Sequence, residues 1–357
     1  MKRNFPVCSI VPGFILREIA KSGDHEDRAV ALNTIAIDGT IRTARVHSLL
    51  AQVGDRPLQT DSLAETSPSV LRRSILDAKG KENVEGLPVI RAEGQPATKD
   101  PAVNEAYDGF GATHAFYWQA YRRQSIDDNG LELEGVVHFG QKYDNAMWDG
   151  QRMIFGDGDD KIFKRLTLSL DVIGHELTHG VTQDTAGLHY LGESGALNES
   201  VSDVFGSLVK QYHLKQTADK ADWLIGAEVI GPAVKGKALR SLAHPGTAYT
   251  DLMGHKDPQP DHMKHYVKTK ADNGGVHLNS GIPNRAFYLV ATELGGNAWE
   301  KAGRIWYETL RDPNLRPTAQ FHAFAVITVT VADRLFGVGS HESKAVKHGW
   351  DQVGVAA

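Results

Sequence analysis

His175-Glu176-Leu177-Thr178-His179 is the stretch that decides how the rest of the chain is read. Two histidines four residues apart on a helix are separated by about 400° of rotation, so they share a face one turn apart. Both imidazoles can then reach one small cation. Glu176 is rotated by only about 100° from His175, which sets its carboxylate beside that cation rather than on it. The run Leu166-Thr167-Leu168-Ser169-Leu170-Asp171-Val172-Ile173 leads in and is apolar enough to bury the helix. Taken alone, the pentapeptide also fits a surface helix carrying two unrelated histidines.

A third ligand is needed, and Gly195-Ala196-Leu197-Asn198-Glu199-Ser200-Val201-Ser202-Asp203 offers one. Catalytic zinc keeps three protein ligands and an open position, and two histidines with a glutamate are a known set. Glu199 is the candidate ligand. Asp203, one turn further on, is spaced to accept the free N–H of a ligating histidine, and Asn198 could hold the other. Such partners fix the tautomer and ring orientation of the ligands. Without the two histidines, the same acidic residues would read as a solvated helix face.

The blocks H-E-L-T-H-G-V-T, T-A-G-L-H-Y and G-A-L-N-E-S-V-S-D together resemble the thermolysin-type zinc metalloproteases. The resemblance continues at Tyr143–Gly150, at Phe155–Asp159 and at Asp272–Gly281, and runs from about residue 70 to the C-terminus. It implies an α+β fold of two lobes, a mixed α/β N-terminal lobe and an α-helical C-terminal lobe, with the active-site helix between them. It also implies one catalytic zinc on His175, His179 and Glu199, with Glu176 as general base. Tyr190 and His277 fall on the family's oxyanion donors, and Asp272 would orient His277. Asn145 and the backbone of Ala146 match the edge strand that pairs with peptide substrates, and Arg240 matches an arginine that binds a substrate carbonyl. Phe163, Leu166, Val172 and Leu239 match positions lining an apolar pocket, which implies cleavage on the amino side of Leu, Phe, Ile or Val. The family's double calcium site keeps Asp171 and Asp222 here, but two of its positions carry Lys210 and Ala227. No calcium pair is expected. A second reading, a catalytically silent zinc-binding homologue or decoy, predicts that Glu176, Tyr190 or His277 is missing; all three are present.

The N-terminal fifty residues precede the catalytic match. They resemble the short propeptide of the protealysin-like branch, whose Pro-Pro-aromatic-x-Leu motif corresponds to Val11-Pro12-Gly13-Phe14-Ile15-Leu16, with Gly13 at the second proline. The expected organisation is residues 1–55 as an intramolecular inhibitory propeptide, 56–190 as the α/β lobe and 191–357 as the helical lobe. Residues 51–69 read as a linker with Gly54, Pro57 and Pro68, and the maturation cut is expected there.

Composition narrows the remaining classes. A net charge of −5 points away from nucleic acid, and no apolar run approaches the roughly 18 residues of a membrane span. The single cysteine, Cys8, excludes an internal disulfide and reads as a buried small apolar residue. Pro6, Pro12 and Gly13 interrupt the N-terminal apolar run, so no classical signal peptide is read; a cytoplasmic protein or non-classical export is expected. A monomer acting on peptides and proteins completes the expectation.

Helices are expected at Phe14–Ala20, Ala29–Ile37, 101–123, Ile282–Leu294, Ala298–Leu310, Phe321–Phe336 and Glu342–Val353, with Asp38-Gly39 as a turn after the second. Strands are expected at Arg73–Lys79, Val136–Phe139 and Gln151–Phe155. Asp157-Gly158-Asp159-Asp160 reads as a polar turn.

Overall fold

A computed structural model describes residues 8–51 and 70–357. Most of the expected linker, and any cut within it, therefore lies outside the described residues.

The sheet begins with an unexpected member. Strand β1 (Cys8–Ser9) is followed by helices α1 (Gly13–Ser22) and α2 (His25–Ala51). Strands β2 (Arg73–Asp77) and β3 (Val89–Ala92), helix α3 (Pro101–Tyr121), and strands β4 (Leu133–Val137), β5 (Ala146–Trp148) and β6 (Met153–Phe155) complete the α/β part. The six strands lie in the order β1-β5-β6-β4-β2-β3, so the N-terminal segment supplies the edge strand beside β5. Central β4 runs parallel to both β2 and β6, whereas β1 and β5 pair antiparallel.

The second expected helix does not stop at Asp38-Gly39. Helix α2 is continuous from His25 to Ala51. An Asp-Gly turn is favoured when the aspartate side chain bonds its own backbone. Here the Asp38 carboxylate is taken elsewhere: it accepts from Tyr143 Oη at 2.6 Å and from Asn145 Nδ2 at 3.0 Å. Strand β4 ends one residue before His138, whose φ of 52° leaves the extended region. The expected strand to Phe139 is thus cut short.

Helix α3 starts where Asp100 and Pro101 predict, with Asp100 Oδ1 accepting from the amides of Ala102 and Val103. The other oxygen of Asp100 lies 2.8 Å from His138 Nε2, while His138 Nδ1 lies 2.8 Å from Asp157. Asp157 foremost, then Asp100, raises His138 to about 9 against the drag of partial burial. A raised histidine contributes stability that is complete below its unfolded value near 6.5 and is lost as pH climbs through about 9. His138→Gln should therefore lower the melting temperature at pH 6 and leave it nearly unchanged at pH 10; an equal loss at both would contradict this.

From Leu170 the chain is mainly helical. Helices α4 (Leu170–Asp184) and α5 (Gly192–Leu214) pack face to face at the centre. Small ribbons of β7 (Leu224–Ile225) with β9 (Arg240–Ser241) and β8 (Lys235–Gly236) with β10 (Tyr249–Asp251) follow. Then come α6 (Asp272–Asn279), α7 (Gly281–Leu294), α8 (Ala302–Leu310), α9 (Phe321–Phe336) and α10 (His341–Gln352). Trp306 of α8 and Trp350 of α10 stack with centroids 6.1 Å apart, fixing the core of this helical lobe.

One glycine sets the distance between α4 and α5. A Cβ on Gly206 would stand 2.5 Å from the Asp171 carbonyl oxygen and 3.0 Å from the His175 nitrogen. Only a glycine lets the two backbones approach this closely, and that approach sets the His175 turn against α5. Within α6 the backbone is left-handed from Asp272 through Gly275, with φ between 50° and 86°. Gly274 and Gly275 adopt it freely, and the bend swings His277 back towards α5.

Candidate active site

His175, His179 and Glu199 meet between α4 and α5, each nearly or wholly buried. One donor atom from each can be chosen so that all three lie within 4.8 Å of one another, the one such group among the described residues. His175 Nε2 and His179 Nε2 face each other at 3.1 Å, and each stands 3.5 Å from a different Glu199 oxygen. Glu199 Oε2 is buried without a hydrogen-bond partner. Two imidazole nitrogens and an orphaned carboxylate oxygen turned to one point are the donor set of a zinc ion, and the residues fit it.

The far sides of the imidazoles face polar groups. His179 Nδ1 lies 2.8 Å from Asn198 Oδ1 and 3.0 Å from Ser202 Oγ, and His175 Nδ1 lies 2.9 Å from Asp203 Oδ1. Burial above all pushes His179 down to about 3, so its imidazole is neutral, the ligating form. Asp203 also takes a bidentate pair from Arg240 and a bond from Asn284 Nδ2. Burial opposes the charge on Asp203, but Arg240 and His175 hold it well below the ordinary carboxylate range.

Glu176 lies to one side of the cluster. Its Oε2 accepts from the Trp148 amide at 3.0 Å, and its Oε1 is buried without a partner. Burial, then the charge of Glu199, raises it well above the usual carboxylate range. On the other side, Tyr190 donates to Glu199 and lies 3.1 Å from His277 Nε2. Asp272 Oδ1 is 2.7 Å from His277 Nδ1. Burial works against a charge on His277, yet Glu199 and Asp272 lift it to about 8.

The cleft is filled by the chain's own N-terminal strand. Ile10 N donates to Ala146 O at 3.1 Å, and Arg240 Nη1 donates to Ile10 O at 3.0 Å. Val11 N donates to Asn145 Oδ1 at 2.9 Å, while Asn145 Nδ2 donates back to Val11 O. The Ile10 side chain is fully buried in the same apolar cluster as Phe163, Leu166, Val172 and Leu239. Cys8 packs against Tyr190 and Val276. Helices α1 and α2 are fastened by Lys161 to Asp24 and Asp27, by Lys142 to Glu26 and by His255 to Glu18.

The polar residues singled out in the sequence thus come together around the cleft, while Phe163, Leu166, Val172 and Leu239 belong to the main apolar core. Sequence reasoning missed the Trp148 amide, because any residue type supplies a backbone N–H. It also missed Ser202, Asn284 and Asp38, whose single polar side chains carry no spacing signal. Asn284 lies one turn into α7, on a helix recognised only by its apolar periodicity.

This fold and this cluster define a metallopeptidase of the thermolysin family, and the chain belongs to that family. The model of the thermolysin metallopeptidase catalytic domain matches residues 72–183, and that of its alpha-helical domain matches residues 186–355. The chain is 51% identical over 351 residues to an extracellular metalloprotease of Pectobacterium carotovorum subsp. carotovorum, covering 98% of this chain and 97% of the relative. It is 44% identical over 354 residues to protease PrtS of Photorhabdus sp. (strain Az29), covering 97% and 91%. Among solved structures it resembles the precursor of protealysin, a metalloproteinase from Serratia proteamaculans, with a TM-score of 0.86 and 50% identity over 98% of this chain and 100% of that one. The chain is accordingly a protealysin-like member of the family, with a propeptide at its N-terminus. Among the described residues, no helix is long and apolar enough to cross a membrane.

Proposed function

We propose that the chain is a zinc-dependent neutral endopeptidase, made as a self-processing zymogen, that cuts on the amino side of large apolar residues. The observation carrying this is the triad of His175, His179 and Glu199 flanked by Glu176 on one side and by Tyr190 and His277 on the other. Bound there, zinc lowers the pKa of water towards neutrality and polarises a carbonyl. Glu176 then takes the proton from the attacking water and hands it to the departing amine, while the Trp148 amide fixes its carboxylate. His277 and Tyr190 donate to the oxyanion that develops on the scissile carbonyl. Asp203 and Asn198 keep the two ligand imidazoles in one tautomer.

Substrate is held by its backbone, as an added strand on β5, with Asn145, Ala146 and Arg240 as partners. The pocket of Phe163, Leu166, Val172 and Leu239 takes the side chain on the amine side. Burying such a side chain contributes about 1.5–3 kcal/mol, a preference and not strict specificity. Mass spectrometry of an unfolded protein digested by the mature enzyme should find new N-termini dominated by Leu, Phe, Ile and Val. Dominance of charged N-termini would overturn the pocket assignment.

In this reading residues 1–55 are the inhibitor, 56–190 and 191–357 the two lobes, and the enzyme works as a monomer. Lys210 takes the place of the calcium pair. Two relatives carry the word extracellular in their names, which favours action outside the cell for this chain too.

A further inference from the structure

We propose that the Ser9–Ile10 peptide bond is a self-processing site of this chain, separate from any cut in residues 52–69. The proposal rests on the peptidase reading above and names a substrate for that same site.

The N-terminal strand lies in the cleft with the register of a substrate about to be cut. Ser9 O is 3.1 Å from His277 Nε2, the donor assigned to the oxyanion. His277 Nε2 is itself 3.5 Å from Glu199 Oε1, so the Ser9 carbonyl stands at the edge of the metal cluster. The next residue satisfies every backbone contact expected on the amine side. Ile10 gives its N–H to Ala146 and its carbonyl to Arg240, and its side chain is fully buried in the apolar core that also holds Phe163, Leu166, Val172 and Leu239. Val11 closes the register through a two-way pair with the Asn145 amide. A shift by one residue would break all of these bonds and expel the isoleucine from the pocket. On the acyl side, Cys8 stands opposite Trp148, whose amide holds Glu176.

The step is an ordinary hydrolysis. The water oxygen bonds to the Ser9 carbonyl carbon, the bond from that carbon to Ile10 N breaks, and the water's proton passes by way of Glu176 to the Ile10 nitrogen. Met1–Ser9 leaves with a new carboxylate. The remainder stays attached, because α1 and α2 keep Lys161, Lys142, Tyr143 and Asn145 as partners. The product is a nicked zymogen, still covered, whose N-terminus is Ile10.

The test follows metal-free full-length chain after addition of zinc, by intact mass and N-terminal sequencing over hours. The wild type is expected to lose Met1–Ser9 and display an Ile10 N-terminus; Glu176→Gln is not. Ile10→Asp should abolish this cut while processing in residues 52–69 continues. Independently of turnover, amide exchange in Glu176→Gln should find the Ile10 and Val11 N–H groups protected, with Val11 exposed in a further Asn145→Ala change. If released propeptide always retains Met1–Ser9, the proposal is wrong and the peptidase reading survives. If nothing is cut and trypsin-activated chain leaves unfolded protein intact, the peptidase reading falls and takes the proposal with it.

Discussion

Glu176→Gln should lower kcat on unfolded protein by about 10²–10⁴-fold, with zinc content and KM nearly unchanged. In barrier terms that is roughly 3–5 kcal/mol. The three effects separate because of where the residue sits. Glu176 is beside the metal group and not in it, so its loss leaves His175, His179 and Glu199 as a complete donor set. The N-terminal strand that fills the cleft is held by Asn145, Ala146, Arg240 and His277, whereas the Glu176 carboxylate is bonded by the Trp148 amide, so substrate affinity is spared. Gln also keeps an oxygen for the Trp148 amide, which limits structural damage. What it cannot do is take a proton from water at neutral pH. Loss of zinc together with activity would mean that Glu176 is a ligand, contrary to the roles assigned here.

The second large effect lies in stability. Lys210 Nζ is 2.6 Å from Asp171 and 3.1 Å from Asp222, with a further bond to the Leu224 carbonyl. Asp171 is wholly buried and also accepts from Ser169 and the Gly226 amide. Burial disfavours the ammonium, but Asp171 foremost lifts its pKa above the ordinary lysine range. Removing one partner of a buried pair strands the other charge and costs about 3–5 kcal/mol. Lys210→Met should therefore lower the melting temperature by on the order of 10 °C. Adding Asp171→Asn to it should restore part of the loss, the signature of a coupled pair. The wild type should keep its melting temperature in a calcium-selective chelator. A fall of tens of degrees there would contradict the proposal that the ammonium replaces calcium.

The catalytic side chains were legible because their chemistry constrains both residue type and spacing. H-E-x-x-H and the glutamate twenty residues beyond it must lie on facing helices for three donors to meet, and α4 and α5 do lie so. Helix α9 was legible end to end because a mostly apolar run from Phe321 to Phe336 stops at Gly337. The Asp38-Gly39 pair misled for a physical reason: its carboxylate is bonded by Tyr143 and Asn145, more than 100 residues away, and no local rule foresees that. The same holds for Glu228, which lies within hydrogen-bond reach of the Ser169 hydroxyl beside Asp171 and carries no signal in the sequence. Strand β1 was invisible because two residues have no periodicity; their partner strand defines them.

The most direct test of the account is metal dependence. Chain stripped of metal and freed of its propeptide should hydrolyse no unfolded protein, and should regain activity as one zinc per chain is restored. Glu199→Ala should bind zinc far more weakly and stay inactive at the same zinc concentration. Undiminished hydrolysis by metal-free chain, or a Glu199→Ala variant as active as the wild type, would contradict the central claim.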